Sequence, residues 1–392
     1  MPLNFLATVY VEGRQAIPYY DQAKYVVPAL GAAVAVKSFF AGPRNTWGRN
    51  MHGRVVLITG GTSGLGAFTA REMAAAGAQV VLLVRSLKDG WLAEYIDDLR
   101  ESTNNPLVFA EECDLADLYS VRSFATKWID NVPPRRLDAI VCCAAVAEPP
   151  GTPQKTTIDG LEPQFQVNYL AHYLLLTVMQ PALRGQPADR EVRVVLTSCI
   201  SALMGDFNLA DLGFSARKYP TNAPWRVFGE SKLYLSLLGY ELQRQFDTYE
   251  RKDGAPPNVH VTIVDPGMMR SPSFKRFITL GRLSLLLLYV LLWPLIWLFL
   301  KSSVDGGQSI LYALMSPEIE KSVSASYISQ TGIRKAPPRS EYGNTEKQQQ
   351  LFEATGKLLE ATEKSSAIER NKLKEQSEKS KKSKKSKAKA KA

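Results

Sequence analysis

The stretch Arg54–Gly66, RVVLITGGTSGLG, limits what this chain can fold into more than any other. Val55 to Ile58 is a short, wholly apolar run of the kind that makes a strand buried on both faces. Thr59 to Gly66 supply a glycine-rich turn, and from Leu65 to Ala76 the period becomes helical, with Gly77 as a stop. Strand, glycine turn and helix in that order make a dinucleotide site. Glycines let the backbone approach a pyrophosphate, and the helix N-terminus offers free N–H groups and the positive end of a dipole. The spacing is Gly60-x3-Gly64-x-Gly66, directly after Thr59.

The second strand is Gln79 to Val84. An Asp or Glu near its end would accept the ribose 2′-OH of NAD; here Val84 is followed by Arg85 and, nearby, Lys88. An arginine suits a 2′-phosphate and favours NADP(H), the alternative being a solvated arginine at a strand end. Further strands are expected at Leu107 to Glu111, within Asp138 to Ala145 together with the strand's exit, at Val192 to Leu196 and at Val259 to Val264. A helix is expected around Trp91 to Arg100. A longer one, Leu161 to Arg184, carries Asn168 among apolar neighbours, which favours a buried role for it.

Composition excludes several classes. Hydrophobic content of 45% and charged content of 22% are ordinary for a globular protein. The net charge of +10 is concentrated at one end: Lys364 to Ala392 holds 12 Lys and Arg against 3 Glu, so the body is nearly neutral. A basic tail without an interleaved aromatic and basic surface in the body argues against nucleic acid and fits anionic lipid headgroups. The four cysteines (Cys113, Cys142, Cys143, Cys199) lack metal-ligand spacing, so no metal is expected, and they read as reduced thiols facing a cytosol-like compartment.

Two apolar stretches interrupt this pattern. Tyr25 to Val36, between Lys24 and Lys37, would reach only about 18 Å as a helix. It reads as a shallow membrane anchor rather than a packed core helix, because Pro28 and its small residues would pack poorly. Leu283 to Leu300 (LSLLLLYVLLWPLIWLFL) is an uncharged run flanked by Arg276, Arg282 and Lys301, with Pro294 to kink it and Trp293 and Trp297 suited to an interface. A kinked element lying on a membrane is preferred over a span, with a buried core hairpin as the third alternative. The expected organisation is an extension over 1–50, a dinucleotide-binding domain over 51–363 with the insert at 283–300, and a disordered basic tail over 364–392.

The TGxxxGxG pattern at Thr59–Gly66, Pro266-Gly267 and Ser231-Lys232 resemble the short-chain dehydrogenase/reductase family. Gly306-Gly307-Gln308-Ser309 and Ser326 to Ser329 are similar to its retinol dehydrogenase-like branch, which includes fungal oxidoreductases of membranes and lipid droplets. The resemblance implies an α/β fold: a doubly wound, mostly parallel seven-stranded Rossmann sheet, closed by Ser326–Ser329 and followed by a last helix over Gln348 to Ala361. It implies NADP bound by Thr59, Gly60, Ser63, Gly64, Leu65, Gly66 and Arg85, with Asp114 on the adenine and Ala144 beside the turn. Pro266, Gly267 and Ser271 would meet the nicotinamide, Lys232 its ribose, Asn168 a relay water, and Ser198 the substrate oxygen.

Two departures stand out. The family's N-N-A-G is Cys142, Cys143, Ala144, Ala145 here, with only Ala144 matching. The family's Y-x-x-S-K is Phe228-Gly229-Glu230-Ser231-Lys232. The lysine ammonium should lower the pKa of a phenol that exchanges a proton with the substrate, and that phenol is missing. The single other tyrosine with a lysine four residues on is Tyr20 with Lys24, which precedes the fold.

Two functions therefore follow. One is an NADP(H)-dependent alcohol/carbonyl oxidoreductase for a retinoid, sterol or fatty carbonyl, facing the cytosol at the endoplasmic reticulum or a lipid droplet. The other is a membrane-bound dinucleotide-binding scaffold. The resemblance also leaves room for a homodimer.

Overall fold

The computed structural model describes residues 10–11, 19–280, 282–321 and 324–389, with backbone alone over 373–389. Residues 1–9 and 12–18 of the expected extension lie outside them.

Eight strands form one sheet in the order β3-β2-β1-β4-β5-β6-β7-β8. They are β1 (Val55–Thr59), β2 (Gln79–Val84), β3 (Val108–Glu112), β4 (Ala139–Cys142), β5 (Val192–Thr197), β6 (Val259–Asp265), β7 (Ser326–Ser329) and β8 (Ile333–Arg334). The first seven run parallel; β8 alone is antiparallel, pairing with β7. The seven-stranded expectation therefore gains a two-residue edge. Both β8 residues are exposed, so no apolar alternation marked them.

Period-two alternation splits the buried side chains between two helix layers. Leu57, Val81 and Ile140 face one way, into a core shared with α4 (Leu118–Ile129), α5 (Ala171–Arg184) and α6 (Pro224–Asp247). Val56, Ile58, Val80 and Val141 face the other, against α2 (Gly64–Ala75), α3 (Gly90–Thr103) and α10 (Ser303–Met315). Covered on both sides, β1 and β5 are buried along their whole length, and the polar Arg193 of β5 is paired with the Ala313 and Ser316 carbonyls. Strand order reverses between β1 and β4, which opens a crevice beyond their C-terminal ends.

Three elements depart from the sequence expectations. The N-terminal apolar run is a longer helix, α1 (Tyr20–Ala41), whose 22 residues pass across both flanking lysines and are nowhere buried. Lys24 bonds Asp21 one turn back and Lys37 donates to the Leu300 carbonyl, so neither charge ends the helix. By length and composition α1 is apolar enough to cross a membrane.

The insert over 283–300 is not one kinked helix but two, α8 (Leu283–Leu291) and α9 (Trp293–Phe299), and a further short helix, α7 (Pro272–Thr279), precedes it. Pro294 sits in the first turn of α9, where its missing N–H costs nothing, so the chain restarts there. The two ends of the insert are stitched together. Arg270 N–H donates to the Lys301 carbonyl (3.0 Å) and Lys301 N–H to the Met268 carbonyl (3.0 Å), so the insert leaves and rejoins the body at one place.

The last helix, α11 (Thr345–Lys389), runs on through the segment read as a disordered tail. Ser366 is buried there, donating to Asp159 (2.8 Å), and Arg122 forks onto Glu363. Lys, Glu and Ala are good helix formers and neither Pro nor Gly interrupts them, so this anchor lets the helix propagate.

Candidate functional site

The glycine turn is held by close approach. At Gly60 (φ +66°) a Cβ would fall 2.8 Å from the Ala144 Cα, and at Gly66 it would fall 2.2 Å from the Gly60 carbonyl oxygen. Only glycine lets the turn press against both the exit of β4 and the start of α2, where free N–H groups point into the crevice. A pyrophosphate-sized anion fits this cradle on the chain's own geometry.

Behind the turn runs a buried polar chain. The Ala144 N–H donates to Thr59 Oγ1 (3.1 Å), which lies 3.0 Å from His172 Nε2. The other ring nitrogen, Nδ1, lies 3.1 Å from the Asn168 carbonyl oxygen. Burial, helped by the Lys232 charge, pushes the His172 pKa down to about 4, so the ring is neutral near pH 7. A carbonyl only accepts; Nδ1 therefore carries the proton and Nε2 accepts from the threonine hydroxyl. His172 was missed in the sequence, where a polar ring inside AHYLLL, four residues beyond Asn168, was its one signal.

Asn168 lies in a π-helical turn, Gln166–Leu170, that leads into α5. Fully buried, its amide donates to the Val146 carbonyl and Ser231 Oγ (both 3.0 Å) and accepts from the Val146 N–H (2.7 Å). It ties the loop after β4 to α6. Single π turns of this kind recur at functional sites, because the wider turn frees a backbone carbonyl.

A cavity of about 350 Å³ opens at the ends of β4, β5 and β6. Nine of the residues picked from the sequence line it: Ser63, Gly64, Leu65, Ser198, Phe228, Lys232, Pro266, Gly267 and Ser271. Thr59, Gly60, Gly66, Ala144 and Asn168 stand behind it as support. Arg85, exposed past the end of β2, and Asp114, past the end of β3, are placed farther along the crevice. Asp114 accepts from the Ala116 N–H (3.0 Å) through one oxygen. A second, larger groove of about 570 Å³ lies at the β3 edge, beside Glu111, Glu112 and Lys127; the glycine turn does not reach it.

Lys232 is buried, and its ammonium donates to the Thr197 carbonyl (2.8 Å) with the Phe228 ring centroid 5.8 Å away. Burial lowers its pKa, and the polar groups around it are the thiols of Cys199, Cys143 and Cys142 rather than a carboxylate. Ser198 is equally buried. Its hydroxyl is 2.7 Å from Ser236 Oγ, which lies 2.8 Å from the Lys232 carbonyl oxygen. Ser236 has one proton to give, so the Ser198 hydroxyl can be released toward the cavity only when Ser236 donates to it. Beside it Cys199 Sγ contacts Ser201 Oγ (2.6 Å), and both residues also line the cavity. The outer wall is apolar, formed by Phe274 and Phe277 of α7 and Leu300 of the insert with Trp225 and Met268.

Residues 54–215 match the family described as short chain dehydrogenase. An uncharacterized oxidoreductase of Saccharomyces cerevisiae is 42% identical over 95% of each chain. Retinol dehydrogenase 13 of Mus musculus is 32% identical over 84% of this chain and 91% of its own length. Among solved structures, an uncharacterized protein from Mycobacterium paratuberculosis superposes with a TM-score of 0.56 at 25% identity, covering 80% of this chain and 95% of that one.

Proposed function

Because the chain belongs to the short-chain dehydrogenase family, in its retinol dehydrogenase-like branch, we propose that it is an NADP(H)-dependent oxidoreductase interconverting an alcohol and a carbonyl on a lipophilic substrate at a membrane or lipid-droplet surface. One observation carries the reading: a single cavity brings the glycine turn, Ser198 and Lys232 together under the apolar side chains of α7 and Leu300 at the end of the insert. NADP(H) is favoured over NAD(H) by the exposed Arg85 in a position where a carboxylate would select the unphosphorylated ribose. The apolar outer wall favours a substrate whose body is hydrocarbon, in keeping with a relative named for retinol. The apolar helix α1, nowhere buried, and the insert beside it favour delivery from a membrane facing the cytosol.

When bound, the nicotinamide group supplies or takes up the hydride. The chain does the rest. N–H groups at the start of α2 hold the pyrophosphate, and the Lys232 ammonium, with one proton on Thr197, has two left for the ribose. Ser198 orients the substrate oxygen when Ser236 donates to it. Phe228 offers no proton, so the proton must pass through Ser198 or come from Lys232, whose hold on it burial weakens. Loss of a general acid costs about 10²- to 10⁴-fold in rate, and slow turnover is expected.

The test is NADPH titration and single-turnover oxidation with a lipophilic aldehyde. Wild type should bind NADPH and turn over slowly, and Phe228→Tyr should speed the step at least about 10²-fold without tightening binding. A second reading, a dinucleotide-binding scaffold, is favoured by Phe228 together with the altered Cys142–Ala145 turn. It predicts NADPH binding with no turnover in wild type. Failure to bind NADPH would sink both.

A further inference from the structure

Where α1, the ends of the insert and the start of α10 meet, three cations surround one carboxylate. Asp305 completes the capping box of α10, whose N-cap is Ser302, accepting from the Ser302 N–H (3.1 Å) and hydroxyl (2.7 Å). Lys37 of α1 lies 4.0 Å from it. Burial alone would raise the Asp305 carboxyl, but the Ser302 hydrogen bonds and the charges of Lys37 and Arg270 hold it below the usual carboxylate range. The buried Lys301 faces the same carboxylate and Asp265. Asp265 is already engaged by the Gly267 N–H (2.9 Å) and the Tyr327 hydroxyl (3.4 Å). Positive charge is in excess.

Arg270 is the odd member. Its Nη1 is buried and, among the described residues, has no hydrogen-bond acceptor. Such groups are rare, because a buried guanidinium N–H without a partner forfeits its hydration for nothing, and a bound ion is one of the things that satisfies them. An anion is what this place lacks.

Its depth identifies the anion. The Arg270 guanidinium stands 5.7 Å from the Trp293 ring centroid, and the Lys37 ammonium 5.6 Å from that of Trp297. Beyond these two indoles the surface turns apolar and exposed, with Val27, Leu30 and Val34 on α1 and Leu287, Leu291 and Leu295 on the insert. Contact of Phe40 with Phe299 (ring centroids 5.2 Å) joins the two faces into one patch. Tryptophans at such a boundary sit at headgroup level in a bilayer, and cations just above them sit at the depth of the phosphates.

We propose that Arg270, with Lys37 and Lys301, binds the phosphate of an anionic phospholipid in the membrane that α1 and the insert contact. This rests on the membrane part of the function proposed above. The site holds a lipid in the folded body, separate from the basic segment at the chain's end, whose side chains past Lys372 lie outside those described.

The test is co-sedimentation of the full chain with vesicles of phosphatidylcholine alone and of phosphatidylcholine containing phosphatidic acid. Wild type should bind both and prefer the anionic vesicles. Arg270→Gln should lower that preference about tenfold while leaving binding to phosphatidylcholine and to NADPH unchanged, and Lys37→Gln should act in the same direction if Arg270→Gln folds poorly. A full-length form with Lys381, Lys382, Lys384 and Lys385 changed to Gln separates the terminal segment. If that form loses the preference and both site variants keep it, the proposal fails. It also fails if Arg270→Gln weakens NADPH and not the anionic vesicles, since the guanidinium then serves the cofactor's phosphates. Wild type that binds neither vesicle overturns the site and the membrane reading together, whereas vesicle binding without turnover leaves the site standing.

Discussion

Phe228 differs from the tyrosine of the family pattern by one hydroxyl, and the polar residues around it are buried and paired. Lys232 keeps its buried place against the Thr197 carbonyl, and Asn168 keeps its hold on Ser231. His172 shows how such a core responds to pH. Its pKa is about 4 when folded, against an ordinary value near 6.5. As pH falls the unfolded chain takes up the proton first, so the stability contributed by the neutral ring is complete above about pH 6.5 and is lost toward pH 4. Over that window the loss is roughly 3 kcal/mol. His172→Asn should remove it: the gap between wild-type and variant urea midpoints at pH 7 should shrink or reverse near pH 4.5. The variant comparison is needed because Glu162 and Glu230, whose burial raises both to about 7, act with opposite sign.

At the scale of the element, the glycine turn and the insert obey different physics. Gly66 lets α2 begin against backbone: a Cβ there would meet the Gly60 carbonyl at 2.2 Å, and no side chain is present to move aside. Gly66→Ala should abolish NADPH binding and lower the thermal midpoint. Gly64 is the control, because a Cβ at Gly64 meets nothing within 4 Å and only its φ of +55° is costly. Asparagine tolerates that region, so Gly64→Asn should lose about 1 kcal/mol and keep the fold. The insert is held by two backbone hydrogen bonds at its ends and by the small cluster Tyr289, Ile296 and Leu300 inside it. Most of its remaining apolar surface is exposed.

Over the whole molecule, α11 decides where the folded body ends. The Asp159 carboxylate accepts from the Leu118 N–H (2.9 Å), Gln166 Nε2 (2.8 Å) and Ser366 Oγ (2.8 Å), which joins the start of α4 and the π turn before α5 to a residue 207 positions beyond Asp159. Arg370 adds a charge 3.9 Å from the same carboxylate. A chain ending at Glu363 should therefore melt about 2–4 °C lower, for a loss of about 1 kcal/mol. A chain ending at Lys372 should melt like the intact protein. Equal midpoints for the two would return the boundary to residue 363.

The sequence by itself determined strands β1 to β6 and the glycine turn. Each is a local pattern: an apolar run such as Val55–Ile58 must be buried on both faces, and Gly60-x3-Gly64-x-Gly66 leaves little else for the turn to do. Phe228 was legible as a missing phenol because its register against Lys232 is fixed one helical turn away. What the tertiary structure decided involves partners far apart in the chain. The length of α1 depended on Lys37 finding the Leu300 carbonyl, and the persistence of α11 on Ser366 finding Asp159. The neutral His172 depended on Thr59 and Asn168 closing around it, and the orphaned guanidinium of Arg270 on what the fold failed to place beside it. Burial and pairing between distant segments set these outcomes, and neither periodicity nor spacing encodes which distant group will arrive.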